Sequence, residues 1–318
     1  MSGEVAVGGI ESADERGVIG RQPVVDFSHL RTPAELETVR RIERAAVVVV
    51  PEALAGAYAA IHLVRVGATV YVPAGAKVRV HTGPLIVGGD GLGGTDDVLI
   101  VIGLLMITSP VTGPVPQRIS VVGAVLAPRG SEGALGPALS GGVGTVTYYR
   151  YVEGHEVTVL TGQVRLSGAS LANPAGRPDD MLIVAGQVLI TGPIPTVGYA
   201  QVVVAGQVCA PASSRTVLEP RLQVQGQMLW SRSDEPRVVF DDTEVGTDFF
   251  RLLEPPVSLV LFGDLTISAG VTEDMVRAKV TDIGLAGDLT APADLVPLLQ
   301  VLATDAYGSI RAGDGPGR

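Results

Sequence analysis

Apolar residues recur along this chain in short runs, and each run carries a glycine near its middle. The runs are Val101-Ile102-Gly103, Val121-Val122-Gly123, Val184-Ala185-Gly186, Val204-Ala205-Gly206 and Val224-Gln225-Gly226. Gly103 and Gly123 are 20 residues apart, as are Gly186 and Gly206. A fixed period of this length is typical of one structural unit that is stacked repeatedly.

The repeat has a second level, in which sets of about four runs recur. Gly103 and Gly186 are 83 residues apart, whereas Gly186 and Gly287 are 101 residues apart. The third set therefore carries about 18 extra residues, and these lie at 231–258. We expect an insertion there.

Within each run the side chains alternate as they do in a β-strand. In residues 182–190 every second residue is apolar or glycine, and Gln187 falls on the other face. Glutamine also follows the glycine in other runs, at Gln163, Gln207 and Gln227. A glycine inside a strand indicates a bulge or a corner at which neighbouring strands approach closely. The pattern predicts a column of stacked glycines beside a column of polar side chains.

The segment before the first valine-rich run predicts a helix. Thr32-Pro33-Ala34-Glu35 matches a capping box with proline at the first helical position, and apolar residues follow at helical spacing. A short amphipathic helix over 33–45 would cover the open end of the first strand, as repeat proteins require.

These patterns predict an all-β fold, a single-stranded β-solenoid (β-helix) of about a dozen rungs of roughly 20 residues with a short N-terminal capping helix. The predicted parts are a disordered N-terminal tail at 1–31, the capping helix at 32–46, the β-solenoid domain at 47–310 with its insertion at 231–258, and a disordered C-terminal tail at 311–318.

Composition and charge narrow the range of partners and compartments. The net charge is −10 and the only lysines are Lys77 and Lys279, so the chain lacks the basic clusters that bind nucleic acid or anionic lipid. The longest apolar stretch is too short to span a membrane as a helix. A single cysteine and the absence of a signal-peptide pattern predict a cytoplasmic protein.

Side chains that carry chemistry are few and scattered. The histidines are His29, His62, His81 and His155, and none has the spacing of a metal-binding pair. No histidine is placed beside Cys209 by the sequence, so we expect a buried, inert thiol. The sequence predicts no catalytic residue, no cofactor and no metal site.

Acidic residues are the one set that suggests a site. Asp264 and Asp288 take the place of the glutamines in successive units, so they are expected to lie near each other. Paired carboxylates perform glycoside hydrolysis, and β-helix polysaccharide hydrolases and lyases display such residues on one sheet. We expect instead a solvated polar ladder that continues the glutamine column.

Three acidic pairs end turns, at Asp96-Asp97, Asp179-Asp180 and Asp241-Asp242. Such pairs are consistent with calcium ligands, and equally with carboxylates that bind nearby backbone N–H groups.

The runs Leu182-Ile183-Val184-Ala185-Gly186-Gln187-Val188 and Val202-Val203-Val204-Ala205-Gly206-Gln207-Val208 resemble the strands of bactofilins. Bactofilins are bacterial cytoskeletal β-solenoids that polymerise without nucleotide. The resemblance covers residues 47–308 in the general pattern of valine-rich strands with a glycine, and it implies a structural role with self-assembly.

The expected function is therefore that of a non-enzymatic structural or scaffold protein. Its expected partner is itself, in a homo-oligomer or filament, or another protein. One alternative is a carbohydrate-active enzyme that uses Asp264 and Asp288. A second alternative is a partner-binding module that uses the 231–258 insertion, whose candidate interaction residues are Phe249, Phe250, Leu252 and Leu253. The same apolar residues could instead fold back and cover the protein's own surface.

Overall fold

The computed structural model describes residues 7–9, 13–14, 16–94, 97–139 and 144–313. The chain divides into two compact units, Met1–Tyr151 and Val152–Arg318, and each is described by itself. The boundary between the units falls inside the predicted 47–310 domain. No helix in the described ranges combines the length and the apolar character needed to cross a membrane.

The predicted single-stranded β-solenoid is wrong. The described strands form six separate parallel sheets of three or four strands each, and the chain is 46% strand and 17% helix. The physical reason is that the glycine-centred run forms one long strand in only two of these sheets. In the other four sheets the strands have two to six residues, and helical turns take up part of the repeat.

Unit 1 contains three of the sheets, named here A, B and C. Sheet A has the order β1 (Val7–Gly8), β3 (Val24–Asp26), β5 (Val47–Pro51), β7 (Ala68–Val72). Sheet B has the order β2 (Val18–Gly20), β4 (Arg41–Glu43), β6 (His62–Val64). Sheet C has the order β11 (Gly144–Tyr149), β10 (Arg118–Pro128), β9 (Asp97–Ile107), β8 (Lys77–Val87). Its helices are α1 (Ala55–Tyr58) and α2 (Glu132–Leu135), with 3-10 turns at Pro33–Leu36 and Glu52–Leu54.

The N-terminal segment differs from its prediction. The predicted disordered tail at 1–31 contains β1, β2 and β3, and the side chains of Val25 and Phe27 are fully buried. The predicted helix at 32–46 is a single 3-10 turn followed by β4. The capping contact is present, since Thr32 N donates to Glu35 Oε2 at 2.7 Å. The apolar residues after it, such as Ile42, are buried in the strand layers rather than along a helix.

Unit 2 contains the other three sheets, D, E and F. Sheet D has the order β12 (Val157–Ser167), β13 (Met181–Thr191), β14 (Gln201–Pro211), β15 (Leu222–Ser231). Sheet E has the order β16 (Arg237–Val239), β18 (Val257–Leu261), β20 (Val280–Leu285), β22 (Ala303–Ala306). Sheet F has the order β17 (Thr243–Val245), β19 (Leu265–Ile267), β21 (Leu289–Ala291), β23 (Ile310–Ala312).

Helices complete the layers of unit 2. They are α3 (Gly168–Leu171), α4 (Arg215–Leu218), α5 (Thr247–Leu252), α6 (Glu273–Lys279) and α7 (Val296–Leu302), with 3-10 turns at Ala212–Ser214 and Glu219–Arg221. The predicted C-terminal tail at 311–318 is partly ordered, because Arg311 and Ala312 belong to β23. Residues 314–318 lie outside the described residues.

The glycine column is present in both long-strand sheets. In sheet C the stacked glycines are Gly83, Gly103, Gly123 and Gly144, and in sheet D they are Gly162, Gly186, Gly206 and Gly226. Gly206 has φ of 141°, and a Cβ added there would lie 2.0 Å from the carbonyl oxygen of Gly186. Only glycine fits a position that combines this backbone conformation with so close a neighbour.

Two hydrophobic cores of unit 2 are joined by a third apolar cluster. One face of sheet D packs with α3 and α4, and sheets E and F enclose a core with α5, α6 and α7. Leu189, Cys209 and Leu229 of sheet D pack against Val260 and Phe262 of the sheet E region. This contact fixes the edge of sheet D next to sheet E.

Candidate functional site

The 231–258 segment does not form a separate insertion on the surface. It contributes β16, β17 and α5, the first layer of sheets E and F. Phe250 is buried at 1% exposure, and Phe249 and Leu253 pack partly buried against the same core. Leu252 is 81% exposed. Of the four candidate interaction residues, one therefore faces solvent fully, and the others cover the protein's own core.

Asp264 and Asp288 lie in neighbouring layers, as their spacing predicts. Asp264 N donates to Asp242 Oδ1 at 3.0 Å, and Asp288 N donates to Asp264 Oδ1 at 2.8 Å. Ser309 N and Ser309 Oγ both donate to Asp288 Oδ1 at 2.8 Å. Each carboxylate thus accepts a hydrogen bond from the backbone of the next layer. We name Asp242, Asp264 and Asp288 the aspartate ladder.

The electrostatics of Asp288 are those of an anchored carboxylate. The hydrogen bonds from Ser309, helped by nearby Arg311, lower the pKa of Asp288. A general acid in glycoside hydrolysis needs the opposite, a carboxyl group whose pKa is raised. The contacts of Asp264 and Asp288 therefore favour a structural role.

Asp180, of the second acidic pair, also binds backbone groups. Asp180 accepts hydrogen bonds from Arg177 N at 2.6 Å and Glu156 N at 3.0 Å, and these bonds lower its pKa. Asp96 and the side chain of Asp97 lie outside the described residues. Within the described residues, no three histidine, cysteine or acidic side chains form a group able to hold a metal ion.

The side chain of Cys209 is buried between Leu189 and Leu229, its register partners in the adjacent strands. Burial raises the pKa of this thiol to about 12, which keeps it protonated near neutral pH. The prediction of a buried thiol is confirmed.

A groove in unit 2 gathers side chains that the sequence did not place together. It has a volume of about 500 Å³ and is lined by Arg215, Met228, Trp230, Arg232, Asp305 and Tyr307, among others. We name it the Trp230 groove. Met228 and Trp230 lie near the end of β15 and Arg232 comes directly after it, at the two-residue spacing that puts side chains on one face of a strand.

The wall opposite β15 is formed by β22 and the residue that follows it. Because β15 is the edge of sheet D, its outer backbone groups have no strand partner among the described strands. Asp305 Oδ2 accepts a hydrogen bond from Trp230 N at 3.0 Å, and Tyr307 Oη donates to the Met228 carbonyl at 3.1 Å. These side chains close the strand edge, which is one way in which proteins prevent unwanted strand pairing.

Two arginines add positive charge to the groove. The guanidinium carbon of Arg215 lies 5.3 Å from the centre of the Trp230 ring, and Arg215 Nε donates to Glu219 Oε1 at 2.6 Å. Arg232 is exposed and forms no hydrogen bond or ion pair within the described residues. Sequence reasoning missed this groove, although the chain's single tryptophan two residues before an arginine was a visible signal. Asp305 is 75 residues from Trp230 in the sequence, so nothing linked the two.

Compared with family models, curated proteins and solved structures, the chain has no significant match.

Proposed function

We propose that the chain is a non-enzymatic structural or scaffold protein that assembles with itself. The observation that carries this proposal is the open edge of the last layer of unit 2. Within the described residues, β22 pairs only with β20 and β23 pairs only with β21. Their outer edges therefore present backbone groups in the pattern that the inner parallel strands use for pairing.

The contrast with β15 supports this proposal. The edge of β15 is closed by the side chains of Asp305 and Tyr307, whereas Ala306 and Ala312 on the last layer are small and exposed. On the neighbouring helix α7, Val301 is 79% exposed. A strand edge with small residues and an adjacent apolar side chain fits pairing with a second copy of the chain.

The aspartate ladder supports a structural role for the acidic residues. Its carboxylates hold backbone N–H groups of adjacent layers, which is a stacking function. A carbohydrate-active enzyme built on Asp264 and Asp288 would need one of these groups free to donate a proton.

The test is the oligomeric state of a variant with charged edges. Ala306→Lys combined with Ala312→Lys places two lysines on the open edges, a change that natural proteins use to prevent edge pairing. We expect the wild-type protein to show mass that increases with concentration in light scattering, and the double variant to stay monomeric. Leu252→Lys, on the exposed end of α5 and away from these edges, is the control and should assemble as wild type does. A wild-type protein that remains monomeric at every concentration would refute the proposal.

A further inference from the structure

The Trp230 groove has the composition of a ligand site rather than of a simple packing defect. Aromatic residues make up only 4% of the chain, and yet its single tryptophan and a tyrosine that is 53% exposed both line this groove. Its volume of about 500 Å³ lies within the range of small-molecule sites, roughly 300–1,000 Å³. The groove is thus large enough for one or two sugar-sized rings.

The groove is also held in a fixed geometry. The main chain of Trp230 is fixed on one side by its pairing with Ala210 and on the other by Asp305 Oδ2. The hydroxyl of Tyr307 is bound to the Met228 carbonyl, so the orientation of the tyrosine ring is set as well. A site with fixed aromatic faces loses little conformational entropy when a ligand binds.

The charges select the type of ligand. Asp305 Oδ2 is occupied by Trp230 N, and Arg215 is paired with Glu219, whereas Arg232 has no partner in the described part of the chain. The two arginines are thus nearly balanced by the two carboxylates. On a chain of net charge −10, this balance favours a ligand that places a single carboxylate beside Arg232 over one that concentrates several charges there, such as a polyphosphate.

We propose that the Trp230 groove binds an acidic saccharide, a sugar chain in which a ring carries a carboxylate. The carboxylate pairs with the guanidinium of Arg232, whose planar donors match the two carboxylate oxygens. The less polar face of a sugar ring lies on exposed Tyr307 and on the part of the half-buried Trp230 ring that neither the sheet D core nor Arg215 covers. This binding uses a different surface from the self-assembly proposed above, because the groove uses side chains of β22 that reach toward β15, whereas strand pairing would use the outer backbone edges of β22 and β23.

The chain provides its own probe, since Trp230 is the only tryptophan. The experiment is a tryptophan-fluorescence titration of the full chain with trigalacturonate, with neutral galactotriose as the comparison ligand. We expect a saturable fluorescence change with trigalacturonate and affinity for galactotriose that is weaker by about tenfold or more, the scale of one lost charged hydrogen bond.

Variants assign the response to Arg232. Arg232→Gln should weaken trigalacturonate binding by about tenfold and leave galactotriose binding unchanged, and Arg232→Lys should retain part of the affinity. Arg251→Gln removes an exposed arginine on α5 and should bind as wild type does.

Four results would overturn the proposal. The first three are the absence of any fluorescence change with trigalacturonate, equal binding of the acid and the neutral sugar, and an Arg232→Gln variant that binds trigalacturonate as wild type does. A fourth is tighter binding of adenosine monophosphate, which would assign the groove to a nucleotide instead. A circular dichroism melt of each variant shows whether a lost response is a lost fold. If Arg232→Gln unfolds at a lower temperature than wild type, Arg232→Lys replaces it in the test. Wild-type affinity of Arg232→Lys for trigalacturonate, together with equal binding of trigalacturonate and galactotriose, would contradict the role of the guanidinium.

Discussion

Two polar ladders in unit 2 share a sequence pattern, a glycine and then a polar residue, with Asp242, which follows Asp241, as the exception. The two ladders form different contacts. In sheet D, Gln187 Nε2 donates to Gln207 Oε1 at 2.9 Å, and Gln207 Nε2 donates to Gln227 Oε1 at 2.7 Å. Between the strands of sheets E and F, each member of the aspartate ladder accepts from the backbone of the next layer. The first ladder connects side chain to side chain, and the second connects side chain to main chain.

The chemistry of the two side chains explains the difference. An amide both donates and accepts, so identical glutamines bond to one another along a stack. An ionised carboxylate only accepts, so identical aspartates need a donor from elsewhere. The backbone supplies this donor where a strand is interrupted. Asp288 lies between β20 and β21, so its backbone N–H is free to bind Asp264. The comparison teaches that the polar residue after the glycine depends on the strand. Glutamine suits a strand that continues, and aspartate suits a strand that stops.

The largest expected effect comes from the glycine columns beside these ladders. Gly206→Ala combines an unfavourable backbone conformation with a Cβ 2.0 Å from the Gly186 carbonyl, so we expect a loss of about 2–5 kcal/mol in the free energy of unfolding. At Gly287 an added Cβ would lie 2.3 Å from the Gly263 carbonyl oxygen, but the backbone there is not left-handed. Gly287→Ala should therefore lower the free energy of unfolding by less than Gly206→Ala does.

Gly192→Ala is the control for backbone strain alone, since Gly192 has φ of 74° and a Cβ there meets no atom within 4 Å. Gly192→Ala should lower the free energy of unfolding by about 1–2 kcal/mol. Urea unfolding of the three variants gives the comparison. A Gly206→Ala variant no less stable than Gly192→Ala would show that close stacking does not require the glycine column.

An intermediate effect is expected when a carboxylate is placed in the glutamine ladder. Gln207→Glu keeps the acceptor for Gln187 but removes the donor to Gln227, and it puts a charge at a half-buried position. We expect a loss of about 1–2 kcal/mol at pH 7, measured by urea unfolding. Gln207→Met, which has no charge, separates the loss of hydrogen bonds from the effect of charge. Wild-type stability in Gln207→Glu would mean that the ladder bonds contribute nothing.

The smallest effect is expected from an amide in the aspartate ladder. Asp288→Asn retains an acceptor for Ser309 N but loses the charge that strengthens this bond and the contact with Arg311 at 3.3 Å. Its melting temperature at pH 7 should fall slightly. Because the pKa of Asp288 is lowered, its stabilising contribution is complete above the unfolded value of about 3.9 and is lost as the pH falls through the lower folded value. The difference between variant and wild type should therefore shrink below about pH 4, and a difference that grows there would contradict the assignment.

The sequence predicted the repeating contacts better than the overall fold. The register of Gly186 with Gly206, the neighbouring positions of Asp264 and Asp288 and the burial of Cys209 follow from a fixed period and from alternation, which are local properties. The sheet architecture does not follow from the period and the alternation. A glycine can either turn a continuing strand, as Gly206 does, or end one, as Gly287 does. That choice depends on which helices and loops fill the rest of each layer.

The candidate sites show the same limit. Phe249 and Phe250 look like an exposed patch in the sequence, but α5 packs them onto the core of sheets E and F. The Trp230 groove depends on Asp305 and Tyr307, which reach β15 from a distant part of the chain. Periodicity carries no information about such contacts, because each is made once.

The central claim is that each ladder depends on the hydrogen-bonding capacity of its side chain, and the pH dependence of Gln207→Glu tests it most directly. A protonated glutamic acid regains an O–H donor for Gln227, so the folded state favours the neutral form and the pKa of the introduced group should be raised. The stability deficit of the variant relative to wild type, measured by urea unfolding at each pH, should then be large at pH 7 and shrink at pH 4. A deficit that is the same at both pH values, or that is larger at pH 4, would contradict the account.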